Sequence, residues 1–352
     1  NPGMLTLNTH ILNSSAYTDT NYVFITEVFM LIKKERFHFA QEEEGQLMVD
    51  VTDRVNNRPI DGASVSISYA GDPQDTLEQL TTDSNGMTEE IDLAAPPRSY
   101  SEYPLSDVQP YSEYNLIITA PGYEPTTISG SEIFSGELSV QPVRLNPVLP
   151  NASASVINIP ANTLWGVFPP KIPEDEIKPV RSSGEIVLSR VVIPEYIVVH
   201  DGVPSDSSAT DYYVRYADYI KNVASSEIYS TWPEATLRAN ITAIMSFTLN
   251  RVYTEWYRNK GYDFTITTST AYDHKWIYGR NIFDSISRIV DEIFANYISR
   301  PNVKQPILTQ YCDGKRVSCP NAMSQWGSKA LGDDGYSDIE IPVSYTHLTL
   351  PT

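Results

Sequence analysis

Apolar and polar residues alternate along residues 46–51 (QLMVDV) and 63–68 (ASVSIS), which puts every second side chain on one face and predicts half-buried strands. Residues 114–120 (YNLIITA) and 138–145 (LSVQPVRL) are further strand-like runs. Asp83-Ser84-Asn85-Gly86 is a turn between two such runs, and Pro121-Gly122 closes another. Short strands at this spacing predict an all-β sandwich over residues 44–147. The Asp83–Gly86 oxygens would also suit calcium, but the rest of an EF-hand loop is absent and an Asn-Gly turn accounts for them.

The pattern then breaks. Residues 148–190 are rich in Pro, Ser, Ala and Asn, and Pro169-Pro170 and Pro173 exclude regular structure there. A linker lying partly extended against its neighbours is expected. Residues 185–200 (EIVLSRVVIPEYIVVH) have strand character and open a second domain, 191–341. After Ser208 the period becomes helical. Tyr219, Val223 and Glu227 share one face, with Ile220, Ala224 and Ile228 beside it. Trp232-Pro233 breaks the chain and restarts it, with Pro233 suited to a first helical turn. Leu237, Ile241, Ile244, Met245, Thr248, Leu249 and Val252 form a broad stripe, and Gly261 is the expected stop. A third helix is expected over 282–298, with Ile286, Ile289, Val290 and Ile293 inward.

The two ends read differently. Residues 1–43 show neither period and are expected to be poorly structured. Their apolar stretch, 23–32, is short, and its basic residues follow rather than precede it, so it makes a poor signal peptide. Ser337-Asp338-Ile339-Glu340 is a capping box. Pro342 is expected to stop that helix within a turn, and residues 342–352 (PVSYTHLTLPT), His347 included, read as a non-native tail.

Composition narrows the functional classes. A chain of 352 residues with 41% apolar content can build two packed domains. A formal net charge of −19 argues against nucleic acid and anionic lipid as partners. No run of 18 or more apolar residues exists to span a membrane. The 23 tyrosines suit polar, ring-shaped ligands, although strands and half-buried surfaces also use tyrosine. Two cysteines, Cys312 and Cys319, do not by themselves define a redox compartment.

Glu227 is the candidate chemical centre. It ends an apolar helical face beside Trp232-Pro233. A carboxyl group against apolar and aromatic surface has its ionised form disfavoured, which suits a general acid. Taken alone, the residue reads first as a solvated glutamate at a helix end.

Several segments resemble known families. Gly45-Gln46-Leu47, then Pro59-Ile60-Asp61-Gly62-Ala63, Leu80-Thr81-Thr82-Asp83-Ser84-Asn85-Gly86 and Ala120-Pro121-Gly122-Tyr123, resemble the carboxypeptidase regulatory-like, transthyretin-type sandwich. That resemblance implies a non-catalytic accessory module. Further on, Tyr219-Ile220-Lys221-Asn222-Val223-Ala224-Ser225-Ser226-Glu227 is followed by Trp232-Pro233-Glu234-Ala235. Then come His274-Lys275-Trp276-Ile277-Tyr278-Gly279, Met323-Ser324-Gln325-Trp326-Gly327 and Gly335-Tyr336-Ser337. In that order they resemble the stage II sporulation protein D / amidase-enhancer family.

The resemblance implies an α+β, lytic transglycosylase-like domain with a helical core. Its partners would be peptidoglycan glycan strands and other wall hydrolases, and its place extracellular, in the cell wall or spore envelope. Glu227 would protonate the glycosidic oxygen and then take the proton of the sugar's 6-hydroxyl. His274, Tyr278, Ser324, Gln325 and Trp326 are the expected substrate contacts, with core packing as the alternative for Tyr278 and Trp326. Asp273 is expected to be a loop residue. Some relatives bind zinc through cysteines, but Ser269 and Lys275 stand at those positions and only His274 remains, so no cofactor is expected. A Cys312–Cys319 disulfide is the first reading, zinc held by both cysteines with His274 the second, and free thiols the third. The alternative function is a non-catalytic glycan binder or amidase enhancer.

Overall fold

The computed structural model describes residues 43–104, 106–149, 154–178, 188–319 and 322–346. The expectations for 1–42 and for the tail beyond 346 lie outside the described residues.

Two sheets face each other over the first half of the chain. One has the order β12-β7-β1-β4, the other β3-β2-β5-β6-β8. The strands are β1 (Glu43–Asp53), β2 (Ser64–Tyr69), β3 (Thr76–Thr81), β4 (Ile91–Ala95), β5 (Ser112–Thr119), β6 (Thr126–Ile133), β7 (Leu138–Leu145), β8 (Ser155–Asn158) and β12 (Ile282–Phe283). Period-two alternation sends Leu47, Val49 and Val51 of β1 inward to meet Val65 and Ile67 of β2 and Leu116 and Ile118 of β5. All of these side chains are buried, and each contributes about 1.5–3 kcal/mol by leaving water. β1 runs parallel to β7 and antiparallel to β4. The result is a β-sandwich. A single helical turn, α1 (Ser99–Glu102), follows β4.

The Pro-rich stretch is not wholly irregular. Ser155–Asn158 pairs parallel with β6 and completes the second sheet. Its β-branched Val156 and Ile157 favour that extension once the neighbouring edge is available.

The second half opens with a small sheet of order β10-β9-β11, built from β9 (Tyr196–His200), β10 (Asp211–Arg215) and β11 (Ile266–Thr267). The helical period expected after Ser208 begins only at Tyr216. Residues 211–215 alternate in burial and pair antiparallel with β9 first. Then come α2 (Tyr216–Glu227), α3 (Glu234–Tyr253), α4 (Asp284–Ile293), β13 (Tyr311–Cys312), β14 (Met323–Ser324), α5 (Gln325–Asp333) and α6 (Glu340–Thr346). Pro233 is the N-cap of α3, where its missing N–H costs nothing. α3 is buried on nearly every side and packs against α2, α4, α5 and α6, as a central helix does.

Three local expectations are corrected. α3 ends at Tyr253, and Gly261, at a φ of 85°, closes a separate 3-10 turn over Arg258–Lys260. The third helix spans Asp284–Ile293, shorter than 282–298, because Ile282 and Phe283 are drawn into the sandwich as β12. The capping box forms, with the Ser337 N–H and Oγ both donating to Glu340, but Pro342 does not end α6. It sits in the first turn, where a proline leaves no intrahelical bond unmade.

The sandwich and the helices interlock. Arg280, just before β12, forms a fully buried ion pair with Glu132 of β6, its Nη1 donating to Oε1 at 2.9 Å. Asn281 Nδ2 donates to the Glu132 carbonyl at 2.8 Å and to Ser139 Oγ at 2.6 Å. Phe134, Tyr111, Tyr229 and Phe283 pack ring to ring across the junction. No helix among the described residues is long and apolar enough to cross a membrane.

Candidate active site

The site begins with the way α2 ends. The last carbonyls of a helix lack intrahelical partners and, when buried, must find others. Here the Ser225 carbonyl accepts from Arg280 Nη2 at 2.6 Å and the Ser226 carbonyl from the Thr163 N–H at 2.9 Å. The Glu227 carbonyl accepts from Gln325 Nε2 at 2.9 Å and Thr163 Oγ1 at 3.4 Å. α2 is thus capped by the Pro-rich segment, by α5 and by the loop before β12. Glu227 is held at the meeting point of all three.

The Glu227 side chain is only 2% exposed and lies on the wall of a pocket of about 220 Å³. Its Oε1 accepts the Lys275 backbone N–H at 2.5 Å, and its Oε2 accepts the phenol O–H of Tyr311. Burial raises its pKa above the ordinary carboxylate value; the Lys171 ammonium, the Tyr311 hydroxyl and the Lys275 N–H oppose that without cancelling it. The negative C-terminal end of α2 acts in the same direction as burial. A carboxyl group of this kind keeps its proton to higher pH than an ordinary glutamate does and can release it to a bound acceptor.

Tyr311 is itself held in place. His274 stacks on it, with ring centroids 5.7 Å apart at 15°. The His274 Nδ1 is 3.1 Å from the Tyr219 hydroxyl, and the ring packs on Phe247. Burial and the nearby Lys171 and Arg251 push the His274 pKa well below its usual value, which keeps the ring neutral. His274 therefore lies behind Tyr311 as part of its support and does not line the pocket.

The other expected contacts divide. Gln325 lines the pocket. Ser324 is the N-cap of α5, its Oγ accepting from the Gly327 N–H at 2.9 Å. Trp326 is buried against Trp232 and Tyr229. Tyr278 stacks on Tyr212 and accepts a hydrogen bond from Arg54 Nη1 of the sandwich, at 2.7 Å. Asp273, expected to be a loop residue, lies in the loop after β11 and is fully buried. Arg251 Nε, the Tyr257 hydroxyl, and the Thr267 N–H and Oγ1 all donate to its carboxylate. Arg251 also holds Glu174 through both terminal nitrogens.

Much of the pocket is not legible in the sequence. Val167, Phe168, Pro169, Pro170 and Lys171, all from the Pro-rich segment, form one wall. Lys171 Nζ donates to the Asp273 carbonyl and stands over the ring of Tyr311 at 4.8 Å and of Phe247 at 5.4 Å. No periodicity marks these residues. The one available signal was Pro169-Pro170, which stiffens the segment ahead of Lys171.

The opposite wall is the loop after Tyr311. Cys312 and Cys319 are joined by a disulfide, with Cα atoms 5.8 Å apart. Inside that loop Asp313 accepts the N–H groups of Lys315, Arg316 and Val317 and the Arg316 Nε. Arg316 in turn donates to the carbonyls of Thr163, Trp165 and Gly166, tying the two walls together. With both sulfurs in the disulfide, neither is a thiolate ligand, and His274 Nδ1 faces the Tyr219 hydroxyl while its buried Nε2 has no hydrogen-bond partner among the described residues. These residues do not fit zinc. Among the described residues no group of three or more His, Cys, Asp or Glu side chains is placed to hold a metal ion.

No family model and no curated protein matches the chain. Among solved structures it is similar to the Bacillus anthracis TIE protein, at 17% identity over 30% of this chain and 17% of that one, with a TM-score of 0.21. It is also similar to Klebsiella pneumoniae 5-hydroxyisourate hydrolase, at 18% identity over 30% of this chain and 92% of that one, with a TM-score of 0.20. The third is GBS52, a minor pilin of Streptococcus agalactiae, at 17% identity over 32% of this chain and 49% of that one, with a TM-score of 0.22. The chain therefore spans less than a fifth of the TIE protein and about half of the pilin.

Proposed function

We propose that the pocket beside Glu227 is the acid–base site of a peptidoglycan-cleaving, lytic transglycosylase-like enzyme. In this reading the sandwich is a transthyretin-type accessory module and the second half an α+β catalytic domain of the stage II sporulation protein D type. The observation that carries it is a single carboxyl group, buried and raised in pKa, at a pocket closed by Tyr311, Gln325 and Lys171.

Glycosidases that activate a water or form a covalent intermediate need a second free carboxylate. The other carboxylate on this pocket, Asp313, is held below its usual pKa range and is taken up by the N–H groups of its own loop and by Arg316. A mechanism needing one carboxyl group fits better. Glu227 gives its proton to the glycosidic oxygen as the C1–O bond breaks. The resulting carboxylate takes the proton of the sugar's 6-hydroxyl as that oxygen bonds to C1. A 1,6-anhydro ring closes and Glu227 ends protonated, so the cycle balances without water. Tyr311 serves both states, because its hydroxyl donates to the carboxylate and its oxygen accepts from the carboxylic acid.

The disulfide suits an exported protein of the cell wall or spore envelope. The second reading is a glycan binder or amidase enhancer without turnover. It is favoured by the saturation of both Glu227 oxygens by the chain itself. Mass spectrometry of peptidoglycan digested with wild type and with Glu227→Gln decides between them. Anhydro ends from wild type alone support the enzyme, and their absence from both, with glycan still bound, supports the binder.

A further inference from the structure

We infer that Lys171 is a positioning residue for Glu227: its ammonium, fixed over the ring of Tyr311 by the Asp273 carbonyl, stabilises the carboxylate that Glu227 becomes once it has given up its proton. This rests on the acid–base reading of the pocket.

Lys171 lies on the pocket wall and bonds the main-chain oxygen of Asp273, not its carboxylate. That carboxylate is already occupied by Arg251, Tyr257 and Thr267. Glu174, the next acidic group toward Lys171, is held by Arg251 and Lys178. Direct neutralisation of the ammonium is therefore absent among its described contacts, and Glu227 is the carboxyl group on the same pocket that remains to feel it.

Tyr311 adds a second route. A cation over an aromatic face is attracted by the ring and draws electron density from it. The phenol beneath Lys171 is the one that donates to Glu227 Oε2, so the cation makes that O–H a stronger donor.

The charged and titratable groups around the pair come from every packed element. Tyr311 is from β13, Lys275, His274 and Asp273 from the loop after β11, Arg251 from α3, Tyr219 from α2 itself, and Glu174 from the Pro-rich segment. Burial lowers the Lys171 pKa below its usual value and Arg251 acts the same way, while Glu227, Asp273 and Glu174 favour the charged form without cancelling that.

The test compares Lys171→Met, Lys171→Gln and Lys171→Arg in the full chain. The readouts are the pH profile of anhydro-end release and a carbon-13 NMR titration of the Glu227 carboxyl. Losing the cation leaves Glu227 a weaker acid. Met and Gln should move the alkaline limb and the NMR midpoint to higher pH and lower kcat roughly 10-fold to 100-fold, with KM little changed. Arg should hold both close to wild type. The proposal is overturned if either neutral variant that folds titrates Glu227 as wild type does, or if Arg shifts it as far as Met. The NMR arm needs no turnover. A wild type that releases no anhydro ends would sink the enzymatic reading while this inference was still decided.

Discussion

The hydroxyl of Tyr311 donates to the carboxyl of Glu227 across 84 residues of chain, and both side chains are buried. One sits at the C-terminus of a helix and the other on a two-residue strand next to a disulfide. The chemistry proposed for this protein depends on that contact.

Replacing Tyr311 with Phe keeps the ring against His274 and removes only the donor. Glu227 loses a bond that stabilises its charged form, so its pKa rises further. The alkaline limb of activity should move to higher pH. The fold should lose about 1–3 kcal/mol, because a buried oxygen is left without its partner. Denaturant melts and a pH–rate profile of the variant check both.

Glu227→Gln should abolish anhydro-end release, lowering it by about 10²–10⁴-fold as for loss of a general acid. Its stability should depend on pH in a defined direction. The folded pKa of Glu227 lies above its ordinary 4.5, so its stabilising contribution is complete below that value and is lost as pH rises through the folded value. The variant lacks this loss. Its denaturation midpoint should match wild type in acid and exceed it increasingly toward alkaline pH. Paired melts from about pH 4 to about pH 8 test it, and a difference that shrinks with rising pH would contradict it.

Reducing the Cys312–Cys319 bond, or replacing both residues with Ser, should cost about 2–3 kcal/mol for so short a loop. The same change frees the loop that carries Arg316, whose guanidinium ties it to residues 163–166. KM for glycan should rise more than kcat falls. Melts and kinetics with and without reductant measure the two effects.

Arg280→Met alone leaves Glu132 buried without its counter-charge and should cost about 3–5 kcal/mol. Arg280→Met combined with Glu132→Leu should recover much of that loss. Because β12 belongs to the sandwich sheet, the described unit should also unfold in one transition. Tryptophan fluorescence, which reads the helical half, and far-ultraviolet dichroism should trace one curve in urea; two separated curves would show independent halves.

Much of the secondary structure was legible in local pattern. β1, β2 and β7 follow from alternation, because one buried face imposes a period of two. The inward stripe of Ile286, Ile289 and Val290 marks α4 for the corresponding helical reason. Local pattern misled where a distant strand competed. Ile282 and Phe283 extend a helical run in sequence but are taken by β7, and residues 211–215 pair with β9 before α2 begins.

The sequence by itself determined the strand and helix periods, the excess of negative charge, and the placing of Glu227 at the end of an apolar helical face. The tertiary structure alone decided what surrounds that carboxyl group. It brought in Tyr311 with His274 stacked behind it, made a pocket wall of the Pro-rich segment with Lys171 in it, left Tyr278 and Trp326 off the pocket lining, and turned Asp273 into a buried hub. Periodicity records which face of an element leaves water, a property of neighbouring residues. Hydrogen bonds and charge pairs between residues 48 to 148 positions apart leave no such trace, since any chain that closes the same distances would satisfy them.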